Sequence, residues 1–327
     1  MKILVIAYIG LASNDVGLRT ARALATLGHD VQVLSFDEDL PFVERTFSFF
    51  AHPLSYRSFN RRLLARVRAF EPDLVLIVGS NWGVFPETLR RIRRLGAKVA
   101  IWDYSLKLWN GFQVECLPLY DAYFLLDSYM VPVLKNLASV KHVEWLPACA
   151  DPDMGAVELS AEDRVRFGAD AAFIGTAYPN RVELFRAMAP QSIRIWGKGW
   201  PDVGPHARIE VEPVWGLKKT KIYKATRVNL NIQGTALQIS GVSERVFEIM
   251  ACGAFVLSKS YPDLLTLFAR SGAVDVFSDA DDLRKKIGYY FAHDDERREI
   301  AAGARALVRA EHTYRHRVTR LLDAVSA

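Results

Sequence analysis

The sequence predicts an α/β chain of two doubly wound domains, each built on a parallel sheet. Three observations carry that expectation. Short apolar runs rich in β-branched residues, of strand length, alternate with segments of helical period. A stretch bearing Pro147, Pro152 and several acids, with no sustained periodicity, interrupts the alternation near the middle, after which it restarts. Half of the 327 residues are apolar, enough for two cores rather than one.

In the first half, Lys2 to Tyr8 reads as a buried strand, Ile9 to Val16 as a loop and Gly17 to Leu27 as a helix closed by Gly28. Val31 to Phe36 is the second strand. Phe59 to Phe70 sets Phe59, Leu63, Val67 and Phe70 on one helical face, with Arg61, Arg62, Arg66 and Arg68 largely elsewhere. Leu74 to Val78, Lys98 to Trp102, Tyr120 to Leu125 and His142 to Leu146 continue the strands. Between the first two of these lies a helix, Pro86 to Leu95, bearing Arg90, Arg91, Arg93 and Arg94. This β-loop-α-β opening is Rossmann-like, but its first turn holds only Gly10 and then Gly17. The G-x-G-x-x-G of a dinucleotide fold is not there, so an oxidoreductase reading loses its main support.

The second half restarts at Ala171 to Gly175, with further strands at Ser192 to Trp196, Arg208 to Val211, Val228 to Ile232 and Ala254 to Ser258. Helices are expected at Arg181 to Met188, Lys218 to Ala225, Glu244 to Ala251, Leu264 to Phe268, Ala280 to His293 and Asp295 to Arg309. Tyr314 to Val325 forms a basic amphipathic tail helix. The expected division is therefore 1–150, a linker at 151–167, a second domain at 168–310, and a terminal helix at 311–327.

Net charge of +5 and a pI near 9.0 permit anionic partners such as a nucleotide or a phospholipid surface without calling for nucleic acid. The arginine-rich helices can dock on an anionic membrane, or simply form solvated faces. Cys116, Cys149 and Cys252 are odd in number and far apart, with neither metal spacing nor a disulfide framework, which fits a reducing cytoplasm. No apolar run reaches the ~18 residues of a membrane helix, and MKILVIAYIG lacks a signal-peptide cleavage pattern. Of the seven histidines only His312 and His316 are suitably spaced, without a third ligand, so no bound metal is expected.

The chemistry concentrates in ISGVSERVFEIMACGAFVLSK, starting at Ile239. A polar loop with Gly234, Thr235, Ser240, Gly241 and Ser243 feeds a short helix, and Gly253 stops it before a buried strand. A loop leading to a helix N-terminus offers backbone N–H groups and a positive dipole end, which suits a phosphate. Ser243 is expected to cap that helix through its hydroxyl. Glu244 and Glu248, four apart, share a face beside Arg245. The pattern serves either a nucleotide-sugar site or a surface helix with solvated charges.

The run RVFEIMACGAFVLS resembles the donor-site signature of the GT-B glycosyltransferases, and within them the CgeB-like (spore maturation protein-like) branch of the group 1 type. The resemblance implies two Rossmann-like domains facing a cleft, with the C-terminal helix crossing back to the first. It implies that Glu248 binds ribose or sugar hydroxyls of a nucleoside-diphosphate sugar. Where many retaining members carry a glutamate, this chain has Ser240, and Glu244 does not substitute for it. Phe173-Ile174-Gly175-Thr176 and Asn180-Arg181 resemble the element that brackets the donor diphosphate, with Arg181 at a lysine position and Thr176 at the arginine position. Trp196 to Trp200 resembles a G-x-G-W turn from which Lys198 can reach phosphates, or is a turn packed by two tryptophans. Trp215 stands where a nucleobase stacks, or packs a core.

The resulting expectation is a metal-independent transferase with no bound cofactor. Its donor site comprises Arg181, Lys198, Trp215, Ser243, Glu244, Arg245 and Glu248. Asp103, just past a strand end, is the candidate general base for the acceptor hydroxyl, or a turn cap. Asn14 and Asp15 are acceptor-side polar groups. Partners are a nucleotide-sugar donor and a glycan, lipid-linked or small-molecule acceptor, with peripheral membrane contact from a cytoplasmic location. A Glu248→Ala change is expected to weaken donor binding without unfolding the protein. The rival readings are a nucleotide-sugar epimerase (or phosphorylase) and a non-catalytic nucleotide-sugar-binding protein in polysaccharide or coat assembly. Neither the base and sugar of the donor nor the stereochemical outcome follows from the sequence.

Overall fold

The computed structural model describes residues 1–7, 16–36, 48–81, 83–104, 111–137, 140–212, 214–234 and 239–326, side chains of 48–55, 111, 112 and 137 excepted. Asn14 and Asp15 lie outside the described residues. The chain divides into two compact units, Met1–Pro147 with Tyr314–Ala327, and Ala148–Thr313.

In the first unit the elements run β1 (Lys2–Ala7), α1 (Val16–Thr26), β2 (Asp30–Ser35), α2 (Ser48–Phe70), β3 (Leu74–Gly79), α3 (Pro86–Arg94), β4 (Lys98–Asp103), α4 (Gly111–Cys116), β5 (Ala122–Leu125), α5 (Met130–Leu137) and β6 (Val143–Trp145). The strands form one parallel sheet in the order β2-β1-β3-β4-β5-β6. Ile3 to Ala7 and Leu74 to Val78 are buried throughout, as continuous apolar runs require when helices cover both faces. Helix α2 starts at Ser48, well before the expected Phe59.

The second unit opens with residues expected to be linker. They fold instead as a 3-10 turn, Pro152–Ala156, and helix α6 (Ala161–Phe167). The acids read as linker composition are structural: Asp151 caps the turn, and Ser160 and Asp163 form a reciprocal capping box. There follow β7 (Ala169–Ile174), α7 (Pro179–Arg186), β8 (Ile193–Trp196), β9 (Ala207–Glu210), α8 (Gly216–Ala225), β10 (Thr226–Asn231), α9 (Glu244–Ala251), β11 (Val256–Lys259), α10 (Pro262–Phe268), β12 (Asp275–Phe277), α11 (Ala280–Ala292) and α12 (Asp294–Glu311). All strands are parallel, in the order β12-β11-β10-β7-β8-β9. The chain winds outward from β7 through β8 and β9, then returns to lay β10 on the other side of β7. The strand order reverses there, and in open α/β sheets such a reversal sets the ligand crevice outside the carboxyl ends of the strands, here β7 and β10.

The last helix, α13 (Tyr314–Ser326), belongs to the first unit and packs on α1. Val318, Leu321, Leu322 and Val325 bury one stripe. Arg317 Nε donates to the Pro147 carbonyl at 2.8 Å, and Arg320 grips both oxygens of Glu144 at 2.6 and 3.0 Å.

Candidate functional site

Sequence residues from three loops meet at the β7–β10 crevice. Arg181, in the first turn of α7, is only 6 % exposed. Its Nε and Nη2 donate to the carbonyl of Ile232, just past β10, at 3.1 and 2.7 Å. Its Nη1 donates to the carbonyl of Thr176, just past β7, at 2.7 Å. One guanidinium therefore spans the two strands at the point where their order reverses. Arg245, in the first turn of α9, donates from Nη1 to Asn231 Oδ1 at 3.0 Å. Both guanidinium carbons lie 4.9 Å from the centre of the buried Phe173 ring, and Tyr178 stacks on Arg181 at 5.0 Å. Glycines make the room: a Cβ on Gly175 would stand 3.1 Å from Arg245 Nη2, and one on Gly234 would strike Tyr178 and approach Arg181 Cζ to 3.2 Å.

The electrostatics of the pair are unfavourable within the protein itself. Burial first, and then the like charge of Arg245, push Arg181 down to about 9. The acceptors that hold these arginines are neutral, backbone carbonyls and an amide oxygen, so the cations keep their charge for an anion.

Ser243 stands at the N-cap position of α9, but its hydroxyl makes no cap; it donates to Asn231 Oδ1 at 2.7 Å. The expected cap is thereby corrected. Asn231 takes both Ser243 and Arg245 and passes the chain of bonds on to Ser258. With the hydroxyl diverted, Ser243 puts no side-chain cap on α9, and a helix start of this kind suits an anion. Glu244 and Glu248 are both buried, which removes the solvated-face alternative. Glu248 Oε1 accepts from Lys219 Nζ at 2.5 Å, and the Tyr223 hydroxyl lies 3.5 Å from Oε2. The Gln233 Nε2 donates to the Gly241 carbonyl, while its buried Oε1 has no donor.

Other expected residues are placed as follows. Lys198 is exposed in a turn whose carbonyl accepts from Ala177 N at 3.0 Å. Trp215 is 40 % exposed, immediately ahead of α8. Asp103 ends β4 in the first unit, 2 % exposed, with Ser80 Oγ donating at 3.3 Å and the Tyr123 hydroxyl at 2.5 Å. Among the described residues no three His, Cys, Asp or Glu side chains converge as a metal site would. Tyr178, Lys219 and Asn231 are missed by sequence reasoning, as is the role of the Phe173 ring between the arginines. Asn231 left a signal, as a polar residue ending an apolar strand run; Lys219 left none, being one of a lysine doublet.

The fold has parallels among known proteins. A model of the family described as Glycosyl transferase-like matches residues 181–323, the part that holds Arg181, Arg245 and Glu248. No curated protein sequence matches the chain. Among solved structures, sucrose-phosphate synthase from Thermosynechococcus elongatus superposes with a TM-score of 0.70 at 13 % identity, covering 98 % of this chain and 97 % of that one. A glycosyltransferase from Rickettsia africae ESF-5 gives 0.70 at 11 % identity, covering 99 % and 97 %. Alr3699/HepE from Anabaena, solved in complex with UDP-glucose, gives 0.67 at 11 % identity, covering 100 % and 99 %.

The fold is GT-B. Identity this low carries the architecture alone; what the GT-B site of this chain does must be argued from its own residues.

Proposed function

We propose that this GT-B protein is a nucleotide-sugar-dependent glycosyltransferase whose second unit holds the donor. The observation that carries the reading is the arginine pair at the switch crevice, Arg181 buried and Arg245 partly buried. Arg181 and Arg245 share one ring, are held by neutral oxygens, and stand beside a helix start without a side-chain cap. A nucleoside diphosphate supplies the missing negative charge and accepts bidentate, charge-assisted hydrogen bonds. As the glycosidic bond to the diphosphate breaks, charge grows on the leaving oxygens, and the preorganised guanidinium groups stabilise it without reorganising. The family match and the UDP-glucose complex of the Anabaena neighbour support this donor class.

The remaining roles follow from chemistry. Lys219 occupies part of Glu248, but a carboxylate has about four acceptor positions, and the contact to Tyr223 is at the outer limit of a hydrogen bond. Glu248 thus keeps capacity for donor hydroxyls, with Lys219 fixing its orientation. Lys198 serves the phosphates and Trp215 the base, both from exposed positions, while Glu244 flanks the sugar side. Asp103 is assigned to the acceptor as general base, Ser80 and Tyr123 holding its carboxylate in place. Asn14 and Asp15 join it on the acceptor side.

The test is a thermal-shift screen against UDP, GDP, dTDP, CDP, ADP and NAD, followed by an assay for acceptor-dependent release of the nucleoside diphosphate. A ligand at 100 times its dissociation constant contributes ~2.7 kcal/mol. Stabilisation by one nucleoside diphosphate, much reduced in Glu248→Gln, is expected. Stabilisation by NAD alone, or by none of the six, would sink the reading. Glu248→Gln is chosen over the expected Glu248→Ala because it keeps a side-chain oxygen where Glu248 Oε1 accepts from Lys219 Nζ at 2.5 Å.

A further inference from the structure

The second unit has another cationic feature, remote from the switch crevice by topology. The crevice lies at the carboxyl ends of the strands. A pocket of about 540 Å³ opens at their amino ends, beside Thr226 at the start of β10 and Ala254-Phe255 ahead of β11. Helix α12 forms its other wall. Lys224, Arg297, Arg298, Arg305 and Arg309 line it, and no lining residue is acidic. Ala301, Ala302 and Ala306 present methyl groups along the α12 wall, which keeps the volume open. That volume falls within the range of small-molecule sites.

Pairing within the protein accounts for only part of this charge, and Arg297 also donates from Nη1 to the Arg227 carbonyl at 2.8 Å. Among the described residues Asp294 is the one carboxylate that pairs with them, through Arg297 and through Arg298 at 2.6 Å. Lys224 donates to the carbonyl of Gly155 at 2.9 Å and makes no ion pair among the described residues. Two guanidinium Nε–H groups, on Arg297 and Arg305, are buried without an acceptor. The seat of Arg305 is shaped for it. A Cβ on Gly155 would come within 2.6 Å of its Nε and Nη2, and one on Gly253 within 3.2 Å of its Cδ. Gly253 is the residue that ends α9 with φ +69, a backbone conformation few other residues accept.

We propose that this pocket is a second anion site, which takes a phosphate-bearing ligand distinct from the donor. Several guanidinium groups around one concavity recognise phosphate oxygens bidentately, and their lack of acidic partners within the lining disfavours cationic or neutral occupants. The same chemistry is offered by a free phosphorylated small molecule and by a phosphate headgroup of a lipid. Helix α9 joins the two regions, its first turn at the arginine pair and its glycine stop at this pocket.

The experiment uses the full chain carrying Arg245→Gln, which weakens the switch-crevice site and isolates the second one. Inorganic pyrophosphate is titrated calorimetrically, and vesicles of phosphatidic acid with phosphatidylcholine are tested by co-sedimentation. A saturable pyrophosphate site is expected that Arg298→Gln with Arg309→Gln weakens about tenfold or more, and that the corresponding lysine variants partly restore. Both substitutions are at exposed positions and spare the core. Pyrophosphate binding without vesicle binding assigns the site to a soluble ligand; vesicle binding that needs Arg298 and Arg309 assigns it to a headgroup. Binding to neither probe, or binding unchanged in the double variant, overturns the proposal. The nucleotide screen on the unsubstituted chain is a separate readout, so the two readings fail independently.

Discussion

Arg181 and Arg245 show how a site is held in a state the fold alone does not favour. The Arg181 guanidinium sits below its ordinary value, at about 9, so the unfolded chain binds that proton more tightly than the folded one. Its buried charge therefore costs stability at neutral pH, and the cost is relieved only as the pH climbs past about 9. Removing the neighbouring charge should relieve part of it sooner. In Arg245→Gln we expect the melting temperature at pH 7 to hold or rise, while nucleoside-diphosphate affinity falls about tenfold or more. A clear fall in melting temperature would make Arg245 a structural residue and remove it from the site. Ser243 carries a related lesson. Position and residue type both announced a cap, yet Asn231 competes for the hydroxyl, because a buried amide oxygen also needs donors.

At the scale of elements, helix α13 shows how a local pattern becomes a tertiary anchor. Its apolar stripe was readable from spacing, but its charged face finds partners only in the fold. Burial pushes the Glu144 carboxyl up, yet its bonds to Arg320 and His142 outweigh burial and hold it below the ordinary 4.5. The stabilisation is therefore present above about pH 4.5 and is lost as the pH falls through the lower folded value. Glu144→Gln should cost ~0.5–1 kcal/mol at pH 7, modest because Arg320 is largely exposed. That difference from the unsubstituted protein should vanish at pH 3 in denaturant titrations. A pH-independent difference would show that packing, not the ion pair, holds the helix end. Helix α6 makes the converse point: acids in a Pro-containing stretch suggested a linker, and the capping box became visible only once Asp163 and Ser160 were seen to pair.

For the whole molecule, each unit buries the thiols it contains. Cys116, Cys149 and Cys252 are all buried, and burial pushes the Cys116 and Cys252 thiols up to about 12. None should react appreciably with a thiol-specific reagent at pH 8, where thiolate is the reactive form. All three should become reactive on unfolding. Because Cys116 lies in the first unit and Cys252 in the second, their separate labelling rates in rising denaturant report whether the units unfold together. Fast labelling of any one in native buffer would contradict its burial.

The sequence by itself determined the class of the fold, the succession of its strands and helices, and the signature around Glu248. Each of these rests on periodicity, turn residues and a glycine stop, which act between residues close in the chain. It also marked Arg181 and Arg245 as candidates. Only the tertiary structure decided that β10 lies beside β7, which sets the carbonyls of Thr176 and Ile232 on either side of one guanidinium. It likewise decided that Lys219 orients Glu248, and that Lys224 and four arginines of α12 border a common pocket. Strand neighbours and buried charge partners are chosen by how crossovers pack and which polar groups must be satisfied out of water. Those are long-range requirements, and local sequence patterns do not encode them.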